Sequence, residues 1–212
     1  RYFIDGVPLD SKGSYVTLAN LPVNLIDRVE IYKGVVPASL GTDALGGAVN
    51  IITLAEKKNF MDVSYSIGSF HTHRADLNAQ FVEQCTGLIV RPTIGINYSK
   101  NDYRMKDVQM RNETGDQFIY GNPKRFHDGY FSLLAQIETG ITGKLWADEF
   151  FVSASYSKTD KELQTGSVQT KVYGMAERNS DAWNVSVRYN KYNFMTEGMT
   201  LKATLSHTWD HS

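Results

Sequence analysis

Two histidines one residue apart, His71 and His73, have a spacing that could do chemistry. On a strand such a pair turns both rings to one side, where a metal ion or a haem iron could be approached. Met105 and Met110, in a long polar stretch further on, could add soft sulfur contacts. No third ligand lies nearby in sequence, so the histidine pair also reads as part of a solvated loop and the methionines as packing. His127, His207 and His211 stand apart from them. The single cysteine, Cys85, can form no internal disulfide and no zinc site without several other ligands. Gly41, Gly46 and Gly47 lack the G-x-G-x-x-G spacing, have no Lys-Ser/Thr pair beside them, and precede a strand. A phosphate cradle needs a helix N-terminus at that place. No Ser–His–Asp spacing and no paired carboxylates stand out. The sequence therefore predicts no catalytic residue, no metal, no cofactor and no enzyme.

The elements that hold these residues follow from composition and period. The chain has 212 residues, 42% hydrophobic and 21% charged, with a formal net charge of −1. That balance excludes a polybasic nucleic-acid binder and a disordered tail. Aromatics reach 12%, including 12 tyrosines, as suits strands with one wet and one apolar face. No run approaches the roughly 18 apolar residues of a membrane helix, which leaves a strand-built membrane wall open. The opening RYFIDGVPLD reads as a strand running into a turn, so the chain is expected to be a piece of something longer.

Residues 1–55 read as a small α/β unit. RYFIDG is a short strand closed by an Asp-Gly turn, and a one-turn helix is expected around 22–26. Strand 28–32 alternates, with Val29 and Ile31 on one side and Arg28, Glu30 and Tyr32 on the other. The turn-rich VVPASLGTDALGG then leads to the closing strand AVNIIT.

IDRVEIYKG, PASLGTDALGG and AVNIIT, preceded by FIDGVPLD, resemble the C-terminal half of the plug domain of TonB-dependent outer-membrane receptors. The likeness covers about the first quarter of the chain. It departs from the family at Val35-Val36-Pro37, where many members have Gly-Pro directly, and at Leu40, where tyrosine commonly precedes the glycine. A turn of the LKDASATAIYGS kind is missing, so the resemblance implies a siderophore-, haem- or cobalamin-type receptor rather than a glycan importer. It further implies that Arg28, Glu30 and Lys33 meet the inner barrel wall, where ion pairs hold a plug yet leave it displaceable. Gly34, Gly41, Gly46 and Gly47 would supply positive-φ turns and close backbone approach.

From Asn59 onward the period is two. Met61/Val63/Tyr65/Ile67, Ala75/Leu77/Ala79/Phe81 and Leu88/Val90/Pro92/Ile94/Ile96/Tyr98 alternate with polar residues. Four more such ladders start at Phe131, Phe150, Trp183 and Met199. Seven strands are predicted, each near the length that crosses a tilted outer-membrane wall. Short connections such as EQCTG and FMTEG alternate with long polar ones, 101–129 and 158–181, and GSFHTH is the brief exception. A soluble β-sandwich shows the same alternation but does not sort its loops by parity. Tyr98, Tyr156, Trp183, Tyr189 and Trp209 lie where a lipid-interface girdle would. Seven strands would leave two open edges in lipid, so further strands are expected to complete the barrel.

The fold expected is thus mainly β: a plug segment at 1–55 and the first part of a transmembrane β-barrel at 56–212. The resemblance implies an outer-membrane location in a Gram-negative bacterium. Its partners would be TonB, acting through an N-terminal segment not in this sequence, the bilayer with its lipopolysaccharide, and an imported metal chelate, haem or cobalamin. No nucleic-acid partner is expected. Pro37, Ser39 and Thr42 in the plug apex, with His71, His73, Met105 and Met110 in the loops, are the expected ligand-facing residues. A non-transporting surface adhesin or structural β-protein is the alternative.

Overall fold

The computed structural model describes residues 1–8, 26–37, 40, 46–53, 58–112, 114–166 and 170–211. Thirteen strands make up the described elements, and no α-helix occurs among them. The expected one-turn helix at 22–26 falls largely outside the described residues; Ile26 itself opens a strand.

Four strands form the plug sheet: β1 (Tyr2–Ile4), β2 (Val7–Pro8), β3 (Ile26–Lys33) and β4 (Gly47–Thr53), in the order β2-β1-β4-β3. β1 runs parallel to β4 and β3 antiparallel to it. A bulge between Ile26 and Arg28 absorbs Asp27 and sets the alternation that follows. One face carries Phe3 and Ala48, which bury themselves against Leu40 with Tyr32 and Val36 packed alongside. The opposite face carries Ile4, Val29 and Ile51, since Ile51 pairs in register with both of the others. Burying one such side chain stabilises by about 1.5–3 kcal/mol, so this small sheet rests on a few residues.

The wall is a single antiparallel meander of seven strands. In sheet order it runs β5 (Phe60–Gly68), β6 (Thr72–Glu83), β7 (Leu88–Ser99), β10 (Tyr130–Thr142), β11 (Glu149–Glu162), β12 (Glu177–Lys191) and β13 (Leu201–His211). β8 (Val108–Arg111) and β9 (Phe118–Gly121) form a hairpin inside the long connection between β7 and β10. β11 and β12 reach further into the second long connection than the apolar ladders suggest, to Glu162 and from Glu177. The last strand starts at Leu201, after Met199.

The wall's burial pattern is inverted relative to a soluble sheet. Val63 is 65% exposed, and Met61, Tyr65, Ile67, Trp183, Leu205 and Trp209 are exposed with it. Gln80 and Asn78, by contrast, are 0% and 1% exposed, and Thr93, Ser132 and Ser186 are buried as well. A soluble sheet buries its apolar face; this one buries its polar face and offers hydrocarbon outward, as a membrane wall does. The plug sheet covers the polar side. Ile51 packs on Leu134 of β10, with Ile4 and Ile26 beside the pair.

The plug sheet ends at Thr53 and the wall begins at Phe60. Where β3 and β4 meet, Gly47 has φ 133°, and a Cβ on it would stand 2.7 Å from the Tyr32 carbonyl oxygen. Gly46 has no positive φ and nothing within 4 Å of such a Cβ, so the close approach expected of both glycines falls on Gly47 alone. Gly47→Val is expected to destabilise the plug by about 1–3 kcal/mol from backbone strain, with the clash in addition. Gly46→Val is expected to be nearly silent. Protease resistance of the plug in the folded receptor, compared between the two variants, checks this; equal loss in both would contradict it.

Candidate functional site

Two constellations stand out, one where the plug meets the wall and one where the long loops meet each other. Register builds the first. Arg91 of β7 lies opposite Glu138 of β10, and their side chains pair at 2.7 Å. Glu138 Oε2 also receives Arg188 of β12 at 3.3 Å, so one carboxylate bridges two guanidinium groups. All three side chains are largely buried. Arg91 Nε donates to Gln80 Oε1 at 2.6 Å, which extends the chain of contacts to β6.

Between the two arginines lies the Phe151 ring, with their guanidinium carbons 5.2 and 5.1 Å from its centroid. The ring fits because residue 140 across the ladder is glycine; a Cβ there would meet both the ring and the Phe150 carbonyl. Each cation–π contact contributes about 0.5–2 kcal/mol. Arg188 then reaches out of the wall to Asp5 at the plug's Asp-Gly turn. Its Nη1 lies 3.4 Å from the carboxylate and donates to the Asp5 carbonyl at 3.4 Å. The plug is thus held by an ionic clasp in a polar wall, beside the apolar contact of Ile51 with Leu134.

The second constellation joins the two long loops. Gln164, 3% exposed, accepts the Phe126 and His127 N–H groups at 2.8 and 3.3 Å. His127 Nε2 donates to the Ala176 carbonyl at 3.0 Å. Asp128 takes Lys161 at 2.7 Å and Arg125 at 3.0 Å. Connections 100–129 and 163–176 are therefore tied together on top of β11. The brief 69–71 turn is tied in too. Phe70 and His71 both have positive φ, and Phe70 lies against Tyr103 at 5.6 Å while His71 faces Asp102 at 3.5 Å. The hydrogen bond from Lys124 at 2.8 Å holds the Asp102 carboxylate below its ordinary pKa, and the charges of Lys124, His71 and Lys100 add to the effect.

The expected site residues spread over this frame. Arg28 pairs with Asp27 and Glu30, each at 3.0 Å. Glu30 accepts from the Tyr32 hydroxyl at 2.9 Å and from Asn50, and the Tyr32 bond in particular lowers its pKa. All these bonds run within the plug, on the face turned away from Leu134, and Lys33 is exposed at the end of the same strand. Among the described residues, Asp5 pairs with Arg188 of these seven strands, while Arg28 and Glu30 bond within the plug. Gly34 has φ 82°; Pro37 is half-buried; Ser39, Gly41 and Thr42 lie outside the described residues.

His71 and His73 part company. His73 stacks between Tyr65 and Tyr98 on the outward face and shares a 2.8 Å hydrogen bond with the Tyr65 hydroxyl. Met105 is buried inside its loop, with Arg125 Nη1 3.8 Å from its sulfur, so it packs the loop rather than facing a ligand. Met110 lies across from Ile119, and its methyl occupies the space that a Cβ on Gly121 would take. Arg91, Glu138 and Arg188 were visible in sequence only as polar-face charges. Their spacing of tens of residues hides the cluster, and a charge on a small-residue Ser/Thr/Asn face is the one signal that marks it.

Glu138→Ala leaves two arginines facing each other in a largely buried place, and is expected to cost about 3–5 kcal/mol. Arg188→Ala should cost less, and the double variant less than the sum; thermal unfolding of the folded receptor reads all three. At the loops, a lowered Asp102 pKa means that the anchor is complete above the ordinary value of 3.8 and is lost only as pH falls through the lower, folded-state value. Amide protection across 100–128 is therefore expected to hold from neutral pH down to that range. Asp102→Asn should weaken it at every pH above that range.

Residues 1–48 match the TonB-dependent receptor plug domain family. The vitamin B12 transporter BtuB of Vibrio vulnificus is 23% identical over 95% of this chain and 37% of its own length. Among solved structures, the ferric-catecholate import receptor Fiu of E. coli K12 superposes with a TM-score of 0.64 at 14% identity, over 99% of this chain and 31% of Fiu. The siderophore receptor PiuA of Acinetobacter baumannii gives 0.60 at 15% identity, over 98% of this chain and 28% of PiuA. The chain thus spans roughly a third of the length of the relatives it matches. The first 48 residues thus match the plug domain family, and the seven antiparallel strands behind them share the fold of the solved import receptors.

Proposed function

We propose that this chain is the plug end and first wall strands of an outer-membrane receptor that imports a scarce, large nutrient such as a ferric siderophore, haem or cobalamin. The observation that carries the reading is the plug sheet docked on the polar face of an inverted wall through Asp5, Arg188 and Glu138. A plug sealed by hydrocarbon would not move, whereas ion pairs and hydrogen bonds exchange with water as it is displaced. Energy would come from TonB pulling on a segment N-terminal to this sequence. The relatives named above, a vitamin B12 transporter and siderophore receptors, support the ligand class.

The ligand would be met by the plug apex at Pro37, Ser39 and Thr42 and by the tied loops 100–129 and 163–176, with His71 at their edge. Arg28, Glu30 and Lys33, on the plug face turned from these seven strands, would meet wall strands elsewhere in the complete barrel. Bonds already made among the loops spare part of the ordering cost when a ligand arrives.

Cells that depend on the receptor for iron or cobalamin are expected to lose uptake when residues 41–53 are deleted, while the protein still reaches the outer membrane. Unchanged uptake with the deleted receptor in place would overturn the transport reading and favour a non-transporting adhesin or structural protein.

A further inference from the structure

The wall's outward apolar ladders are unequal. On β7 the ladder runs from Leu88 to Tyr98 and on β10 from Phe131 to Ile141, ten residue steps each. On β11 it runs only from Phe150 to Tyr156 and on β12 only from Trp183 to Tyr189, six steps each. At about 3.3 Å per step and a tilt of roughly 40°, ten steps rise about 25 Å, the height of the apolar band, and six rise only about 15 Å. The shortfall cannot be made up toward the long loops, where the next outward residues are Lys158 and Asp160 on β11 and Asp181 and Asn179 on β12. It must be made up at the other end, by the turns.

Those turns are apolar and exposed. In 143–148, Leu145 is 98% exposed and Trp146 53%; in 192–200, Met195 is 77% exposed, with Tyr192, Phe194 and Met199 also uncovered. They are also well built. Gly143 N–H donates to Asp148 O, Lys144 N–H to Ala147 O and Phe194 N–H to Met199 O, all at 2.9 Å. The two turns are bolted to each other: the Tyr189 hydroxyl donates to the Trp146 carbonyl at 2.6 Å, and the Tyr192 N–H to Asp148 at 2.7 Å. Trp146 lies 5.5 Å from the Phe150 ring, so the patch continues the lipid-facing ladder without a break.

The charges nearby suit an interface. Asp148 is paired with Lys191 at 3.3 Å, and Lys144 and Glu197 stand at the turn tips. Ordered turns that hold their largest apolar side chains outward need a medium that takes them up.

We infer that the two turns form an anchor that inserts Leu145, Trp146, Phe194 and Met195 into the headgroup–acyl boundary of the inner leaflet and completes the apolar band below β11 and β12. The occupant is phospholipid, because the patch is continuous with the lipid-facing wall and lies where that wall is too short. The inference rests on the barrel reading, and the test separates the two.

The complete receptor carrying this sequence is reconstituted in vesicles of phosphatidylcholine brominated either near the headgroup or near the chain end. Emission of wild type minus Trp146→Phe isolates Trp146, and wild type minus Trp183→Phe isolates Trp183 on the wall. Trp146 is expected to be dimmed to about half by bromine near the headgroup, and less by bromine near the chain end. Aqueous acrylamide should reach it poorly. Leu145→Asp should reduce the bromine effect on Trp146 and leave Trp183 as it was.

Trp183 dimmed by bromine with Trp146 untouched and open to acrylamide, as on a surface kept for a periplasmic protein, would overturn the anchor alone. Neither tryptophan dimmed would overturn the wall reading and the anchor with it. Should Trp146→Phe fail to assemble, an environment-sensitive dye on Leu145→Cys in a Cys85→Ser background reads the same insertion: blue-shifted emission supports the anchor, and a water-like spectrum refutes it.

Discussion

Every strand of the wall must satisfy its backbone hydrogen bonds sideways and show hydrocarbon on one face only. An apolar surround offers no partner to an N–H or C=O, so the seven strands stay hydrogen-bonded neighbours from β5 to β13, with a gap in the β6–β7 register where Pro92 stands. The rest of the molecule follows from that constraint. Because the outward face takes the apolar side chains, the inward face takes what is left, which is Asn, Gln, Ser, Thr and a few charges. Whatever fills the inside must then be held by polar contacts.

The clasp is the local answer to that requirement. Glu138 bridges two arginines and leaves one positive charge over, and Phe151 gives both guanidinium planes an apolar surface to lie on. Arg188 therefore has charge to share with Asp5 without leaving a buried carboxylate unpaired. Beside it lies the apolar contact of Ile51 with Leu134, flanked by Ile4 and Ile26. Such a joint is firm while water is kept out and weak once water enters. At the other end, the buried Gln164 oxygen accepts two backbone N–H groups and ties two connections into one surface.

The strands were legible in the sequence because period two is a local signal that no distant contact can erase. All seven wall ladders have their strands, and the alternation in β3 separates Val29 and Ile31 from Arg28 and Glu30. Strand ends were less legible: β11 and β12 continue through polar residues, since a strand that runs beyond the apolar band keeps its hydrogen bonds while losing its apolar face. The candidate site was less legible still. The histidine pair looked like one feature because one residue separates its members; a turn with two positive-φ residues sends His71 to the loops and leaves His73 in the outward aromatic stack.

By itself the sequence determined the class of the fold, because strand period is written in contiguous residues, as is the plug motif that residues 1–48 carry. It also determined which face of each strand would carry the apolar side chains, since side chains alternate strictly along a pleat. Tertiary structure alone decided which charges meet. Asp5, Arg91, Glu138 and Arg188 lie up to 183 residues apart, and only the register of β7, β10 and β12, with the plug laid across them, puts a carboxylate between two guanidinium groups. Electrostatic contacts act over a few ångströms of space and carry no period along the chain, so no local pattern announces them.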